Sequence, residues 1–167
     1  KRALDDGAPV DEESEDDMST ALAIAVTRGG SQAERPRQIY QELVTLLLER
    51  GADPNHADAR GWTPMHRAAS VGNVAALRAM RALRPPRQGN TNQQDGKGWT
   101  CLHWCKSVEV AKLLLEELGA RDDVKNESKA TPEKMHAEKA TSKASGLSDF
   151  FQARREQINA NKKPWED

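Results

Sequence analysis

Gly61-Trp62-Thr63-Pro64-Met65-His66-Arg67-Ala68-Ala69-Ser70-Val71-Gly72 reads as a complete start-and-stop signal for a short helix. Gly61 marks a turn, and Pro64 presets φ for the first helical turn. Thr63, just before it, is the predicted N-cap, with a hydroxyl able to accept an orphan amide of that turn. Ala68 and Ala69 leave room for a close neighbour, and Gly72 ends the helix after about two turns. A helix of this length is marginal alone in water. The segment is therefore predicted to be one layer of a stack, and a second copy, Gly98-Trp99-Thr100-Cys101-Leu102-His103, follows it.

The rest of the chain carries weaker echoes at regular distance. Leu48-Glu49-Arg50-Gly51-Ala52-Asp53-Pro54-Asn55 closes a helix, as do Leu4-Asp5-Asp6-Gly7-Ala8-Pro9-Val10 and Glu117-Leu118-Gly119-Ala120. Gly7 to Gly51 is 44 residues and Gly51 to Gly119 is 68. The threonine starts fall at Thr20, Thr63, Thr100 and Thr131, separated by 43, 37 and 31 residues. A period of roughly 33 with loop insertions and one deletion fits these intervals.

Composition agrees with a stack of thin layers. Of the 167 residues, 31% are charged and 4% aromatic, with a mean hydropathy of −0.82. Such a profile suits short apolar runs buried between neighbours better than one thick core. The net charge is −1, unevenly spread. Residues 1–27 hold two basic and eight acidic side chains, whereas residues 28–120 hold thirteen basic and nine acidic. No apolar run approaches the roughly 18 residues needed to cross a membrane, and neither a secretory nor a transit leader stands at the N-terminus. A first residue of Lys1 leaves a longer parent chain open. The two thiols, Cys101 and Cys105, are poorly disposed for a disulfide at i, i+4 and suit an intracellular, reducing compartment. Asn126-Glu127-Ser128 fits the glycosylation sequon.

Thr63-Pro64-Met65-His66 with Ala68-Ala69 and Gly72 resembles the ankyrin repeat family, whose signature is Thr-Pro-Leu-His-x-Ala. Thr100-Cys101-Leu102-His103 keeps most of it, with Cys105 in place of an alanine. Thr20-Ala21-Leu22-Ala23-Ile24-Ala25 and Thr131-Pro132-Glu133-Lys134 match less, as expected of capping repeats whose outer face meets water. The resemblance covers about residues 1–140. It implies an all-α solenoid of three to four helix-turn-helix repeats with short β-turn loops. The repeats are set near 1–15 (partial), 16–57, 58–94, 95–125 and 126–145 (degenerate), followed by a C-terminal capping helix and tail over 146–167.

Apolar stripes mark the second helices: Ile39, Leu43, Leu46 and Leu47; Val74, Leu77, Met80 and Leu83; Val110, Leu113, Leu114 and Leu118. Arg84-Pro85-Pro86 is expected to end the middle one. Leu147, Phe150, Phe151 and Ile158 form the face of a final helix. Residues 29–37 and 84–96 read as polar loop insertions, the kind of place where function is added to a scaffold.

No catalytic constellation emerges. His66 and His103 hold the signature position, where the resemblance implies that the imidazole ties neighbouring turns together. Thr63, Pro64, His66, Thr100 and His103 are therefore read as structural. Cys101-x-His103-x-Cys105 lacks zinc geometry, since His103 lies on another helix face. The acidic run Asp11–Asp17 lacks the spacing and central glycine of a calcium loop. No cofactor or metal is expected, and no enzymatic activity.

The informative residues lie between the signature positions. Trp62 and Trp99 follow the turn glycines. Trp104 and Arg67 occupy the variable position that the resemblance turns toward the concave groove, as does Ile24. Trp and Arg are enriched in binding hot spots. From Ala59 through Gln94 there is no acidic residue but six arginines: Arg60, Arg67, Arg78, Arg81, Arg84 and Arg87. That run points to an acidic partner: a protein surface, this chain's own acidic N-terminus, or RNA phosphate. The expected function is a protein–protein adaptor or accessory subunit. It would bind through Trp62, Arg67, Trp99, Trp104, Arg60, Arg78, Arg81 and Trp165, with a ribonucleoprotein role as the alternative. Membrane insertion is not expected, and self-association is left open.

Overall fold

A chain of paired short helices can bury its apolar faces only by stacking pair on pair, and the computed structural model shows that arrangement. It describes residues 9–30, 34–138 and 146–161. Trp165, the Gly7 echo and the end of the degenerate repeat near 126–145 lie outside the described residues. Among the described residues eight helices follow in order: α1 (Ala21–Gly29), α2 (Glu34–Glu49), α3 (Pro64–Val71), α4 (Val74–Arg81), α5 (Cys101–Trp104), α6 (Val108–Lys112, continued by a π turn over Leu113–Glu117), α7 (Pro132–Glu138) and α8 (Leu147–Asn161). No β-strand occurs among the described residues.

The helices form two layers. In the first, α1 packs on α3, α3 on α5 and α5 on α7. In the second, α2 packs on α4, while α8 lies on both α7 and α6. The fully buried Leu22, Val26, Leu47, Met65, Leu77, Met80, Leu102 and Leu114 fill the space between. Among the described residues the main helix contacts run between neighbouring repeats, as in other solenoids.

Local chemistry starts each first-layer helix in the same way. Thr20 caps α1 by accepting the Ala23 amide at 3.4 Å, and Thr63 caps α3 by accepting the His66 amide at 3.4 Å. His66 answers with Nδ1, which lies 3.2 Å from the Thr63 amide and 2.9 Å from its hydroxyl. His103 repeats this against Thr100 at 3.1 and 3.0 Å. With Nδ1 accepting, the proton sits on Nε2, which donates to the next repeat. His66 Nε2 reaches Trp99 O at 3.0 Å and His103 Nε2 reaches Ala130 O at 3.2 Å. The histidines are ties between repeats.

The loops ahead of these helices form a ladder of turns. Asp58 N donates to Trp62 O, Asp95 N to Trp99 O and Asn126 N to Ala130 O, all at 2.9–3.0 Å. Each turn also bonds to the previous one: Ala59 N to Asp17 O at 3.1 Å, Gly96 N to Arg60 O at 3.0 Å, and Glu127 N to Lys97 O at 3.2 Å. One residue per turn is left-handed, namely Met18, Gly61, Gly98 and Lys129. Glycine is required at Gly61, where a Cβ would stand 2.5 Å from Gly96 N.

Four expectations need correction. Residues 29–37 are not all loop, since Gly29 closes α1 and α2 already begins at Glu34. Ile39 is 61% exposed; the buried stripe of α2 is Val44, Leu47 and Leu48, flanked by half-buried Tyr40 and Leu43. At about 100° per residue, Ile39 lies roughly 120° from the centre of that stripe. Ile158 is 46% exposed, because α8 runs past the helices it covers and packs through Leu147, Phe150 and Phe151. The prolines at 85 and 86 do not end α4, which stops at Arg81. Its terminal carbonyls are taken instead by Gly89 N, which bonds Met80 O at 3.0 Å, and by Gln88 Nε2, which bonds Arg81 O at 2.9 Å.

The 84–96 loop is tied down along its length. Arg87 Nη2 donates to Leu48 O at 2.7 Å, and Asn55 Nδ2 to Gln88 O at 3.1 Å. Asn55 Oδ1 accepts from Asn90 N at 2.7 Å. One repeat on, Asn92 does the same, donating to Gly119 O at 3.1 Å and accepting from Arg121 N at 2.8 Å.

Candidate partner-binding face

Where the turn ladder meets the first-layer helices, one aspartate organises each inner repeat. Asp58 Oδ1 accepts the amides of Arg60 and Trp62 at 2.8 and 2.9 Å. Asp95 Oδ1 accepts those of Lys97 and Trp99 at 2.8 and 3.0 Å. The second oxygen takes the side chain nine residues on, which is the variable helix position. Asp58 Oδ2 accepts from Arg67 Nη2 at 2.6 Å, and Asp95 Oδ2 from Trp104 Nε1 at 2.8 Å. The same carboxylate therefore fixes an arginine in one repeat and a tryptophan in the next.

Trp104 is wedged between the other two indoles. Its ring centroid lies 4.3 Å from that of Trp62 and 4.5 Å from that of Trp99, with tilts of 56° and 42°. Trp62 and Trp99 stand on adjacent turns as expected, but the third ring bridges them. All three are half-buried. Tilted aromatic packing of this kind gives a rigid, partly wet apolar patch, and one rim of each ring stays available.

Arg67 is engaged inward. Besides Asp58, its Nη2 meets Ser19 Oγ at 2.7 Å and Asp17 Oδ2 at 3.4 Å, while Nε is buried without a hydrogen-bond partner. Ser14 and Ser19 donate to Asp17 and, with Arg67, hold its carboxyl down at about 2. The chain's own acidic turn thus supplies Arg67's partner. It is fastened further by Asp11, whose carboxylate accepts Asp53 N at 3.0 and 3.1 Å, and by Glu13, 2.9 Å from His56 Nε2.

The arginine run is otherwise split. Arg78 makes a forked pair with Glu117 at 2.8–3.2 Å, which raises its pKa, and Arg87 caps α2. Arg60 and Arg84 are exposed and Arg81 half-buried; none of these three side chains makes an ion pair among the described residues. Three of the six arginines therefore have internal partners.

The other candidate chemistries find no site. Cys101 is fully buried and its thiol is pushed up in pKa by desolvation. Cys105 Sγ lies 3.7 Å from His136 Nε2, which also meets Leu102 O at 3.1 Å. Among the described residues no group of three His, Cys, Asp or Glu is placed to hold a metal, and no helix is long and apolar enough to cross a membrane. Asn126 is 7% exposed, and its Oδ1 accepts Ala130 N at 2.9 Å, so the sequon asparagine faces inward. A groove of about 610 Å³ beside Gly29, Asn73, Arg78, Lys106, Ser107 and Glu109 lies at the helix–helix loops, away from the tryptophans.

Sequence reasoning missed Asp58, Asp95, Asn55 and Asn92. Their signal was present: each inner Thr-led helix is preceded by Asp at five residues and Asn at eight.

Comparison with known proteins matches residues 33–126, more than half of the chain, to a family model of ankyrin repeats in three copies. Protein phosphatase 1 regulatory subunit 12A from Mus musculus is 38% identical over 61 residues, 36% of this chain and 5% of that protein. The Rattus norvegicus protein of the same name matches equally. Ankyrin repeat-containing protein P1E11.10 of Schizosaccharomyces pombe is 35% identical over 85 residues, 51% of this chain and 39% of that protein. The chain thus spans well under half the length of each of these relatives.

Proposed function

Because the chain belongs to the ankyrin repeat family, we propose that it is a non-catalytic protein-binding module, acting as an adaptor or accessory subunit. Its binding face is the junction of turns and first-layer helices, centred on Trp62, Trp104 and Trp99 and continuing to Ile24 on α1. The single observation that carries this reading is the three-indole cluster, held half-exposed by Asp95 at the position equivalent to Arg67 and Ile24. Rigid aromatic anchors of this kind cost little ordering entropy on binding. Ile24, 45% exposed, extends the apolar strip. Arg67 supports the face from behind through Asp58, while Arg60 offers a free cation at its edge. Arg78 and Arg81 belong to the second layer and contribute less; Trp165, outside the described residues, is a further proposed contact. The division near residue 145 between solenoid and C-terminal cap belongs to the same proposal. An intracellular location fits a module whose two cysteines, Cys101 and Cys105, are buried thiols.

Site-specific photo-crosslinking tests this. A photo-reactive residue at Ile24 or Trp62 is expected to capture one defined protein from cells of the source organism. The same group at Arg84 should not. Protein phosphatase 1 is the first purified candidate to try, since one relative is a regulatory subunit of it. Equal capture from all three positions, or crosslinks mainly to RNA, contradicts the assignment.

A further inference from the structure

The tips of the ladder carry charge that the fold does not use. Glu15 and Asp16 on the first turn are exposed and make no ion pair among the described residues; the neighbouring Asp17, by contrast, is tied to Ser14 and Arg67. On the second and third turns the corresponding tips carry Arg60 and Lys97, both exposed and likewise unpaired. The row therefore has an acidic first turn and basic second and third turns, and its fourth turn carries both Glu127 and Lys129, exposed. Each turn also presents an apolar side chain: Met18, where the inner turns have Gly61 and Gly98, is 45% exposed, and Trp62 and Trp99 on the next two turns are half-buried. A strip whose first turn is acidic and whose next two are basic is complementary to itself when a two-fold axis passes between them, the isologous arrangement of most dimers.

We propose that this row of turns is a self-association surface whose occupant is a second copy of the chain. The acidic first turn of each copy lies against Arg60 and Lys97 of the other, with Met18 and the turn indoles between them. Charge complementarity steers and registers the contact, and apolar burial holds it. The surface goes beyond the partner-binding role, which also uses Ile24 on α1.

Sedimentation velocity on the purified chain tests it. The wild type is expected to form a dimer at low salt that weakens at least about tenfold when salt screens the exposed charges. Glu15→Lys with Asp16→Lys reverses the acidic tip of the first turn; Arg60→Glu with Lys97→Glu reverses the basic tips of the second and third. Each double variant should be monomeric alone, and an equimolar mixture of the two should restore a dimer. None of these four side chains makes a hydrogen bond or ion pair among the described residues, so circular dichroism should show unchanged folding. A wild type that stays monomeric at low salt, or a dimer indifferent to both swaps, overturns the proposal. A monomeric chain that still captures a protein through Ile24 and Trp62 overturns this proposal while leaving the partner-binding role intact.

Discussion

At the scale of single residues, a few buried side chains join one repeat to the next. His66 lies buried with Nε2 on Trp99 O and Nδ1 on Thr63, so His66→Ala leaves donors and acceptors unpaired in the interior. The expected loss is about 3 kcal/mol in urea unfolding. Burial also pushes the His66 pKa below 6.5. A lowered pKa means that protons bind the unfolded chain more readily. The stability carried by the neutral ring is therefore complete above pH 6.5 and lost as pH falls through the lowered value. Asp17, held at about 2, acts in a separate window below 3.8. Urea midpoints should thus be flat above pH 7 and decline below 6.5, with the upper step shrinking in His66→Gln. For Trp104, Asp95→Asn removes the charged acceptor of its indole N–H. A shift in tryptophan fluorescence, with the circular dichroism spectrum unchanged, is the expected result.

At the scale of elements, turns and helices answer to different rules. Gly61 and Gly72 share a left-handed φ, +78° and +75°, but only Gly61 faces another turn. Gly72→Ala should cost about 1 kcal/mol for the conformation alone. Gly61→Ala adds the collision with Gly96 N, and its thermal unfolding should show a loss larger by roughly 1–3 kcal/mol. On α2, Leu47→Ala should cost about 2–5 kcal/mol, whereas Ile39→Ser should be nearly neutral. The inner helices were legible in the sequence because Thr63, Pro64, His66 and Gly72 each perform a local task that spacing reveals. The α1 start at Thr20 was legible for the same reason. Ile39 was misread because one strip of 3–4 spacing in α2 overlaps a second, and only the packing of α1 and α4 selects between them. Arg67's inward turn was hidden because its partners, Asp17 and Ser19, lie about 50 residues away in the chain. Periodicity carries no information on such pairings.

At the scale of the molecule, these ties make a stack whose coupling is between neighbours, with polar ladders of amides, asparagines and histidines along the turn edge and apolar packing between the helix layers. Such an object deforms little on binding, so the face that meets a partner should be the face that is already rigid. Amide hydrogen exchange with and without the captured partner tests this most directly. The account predicts added protection concentrated at Ala59–Trp62, Gly96–Trp99 and the first-layer helices α1, α3 and α5, with α2, α4 and α6 unchanged. Protection confined to the second-layer helices, or spread evenly over both layers, would contradict it.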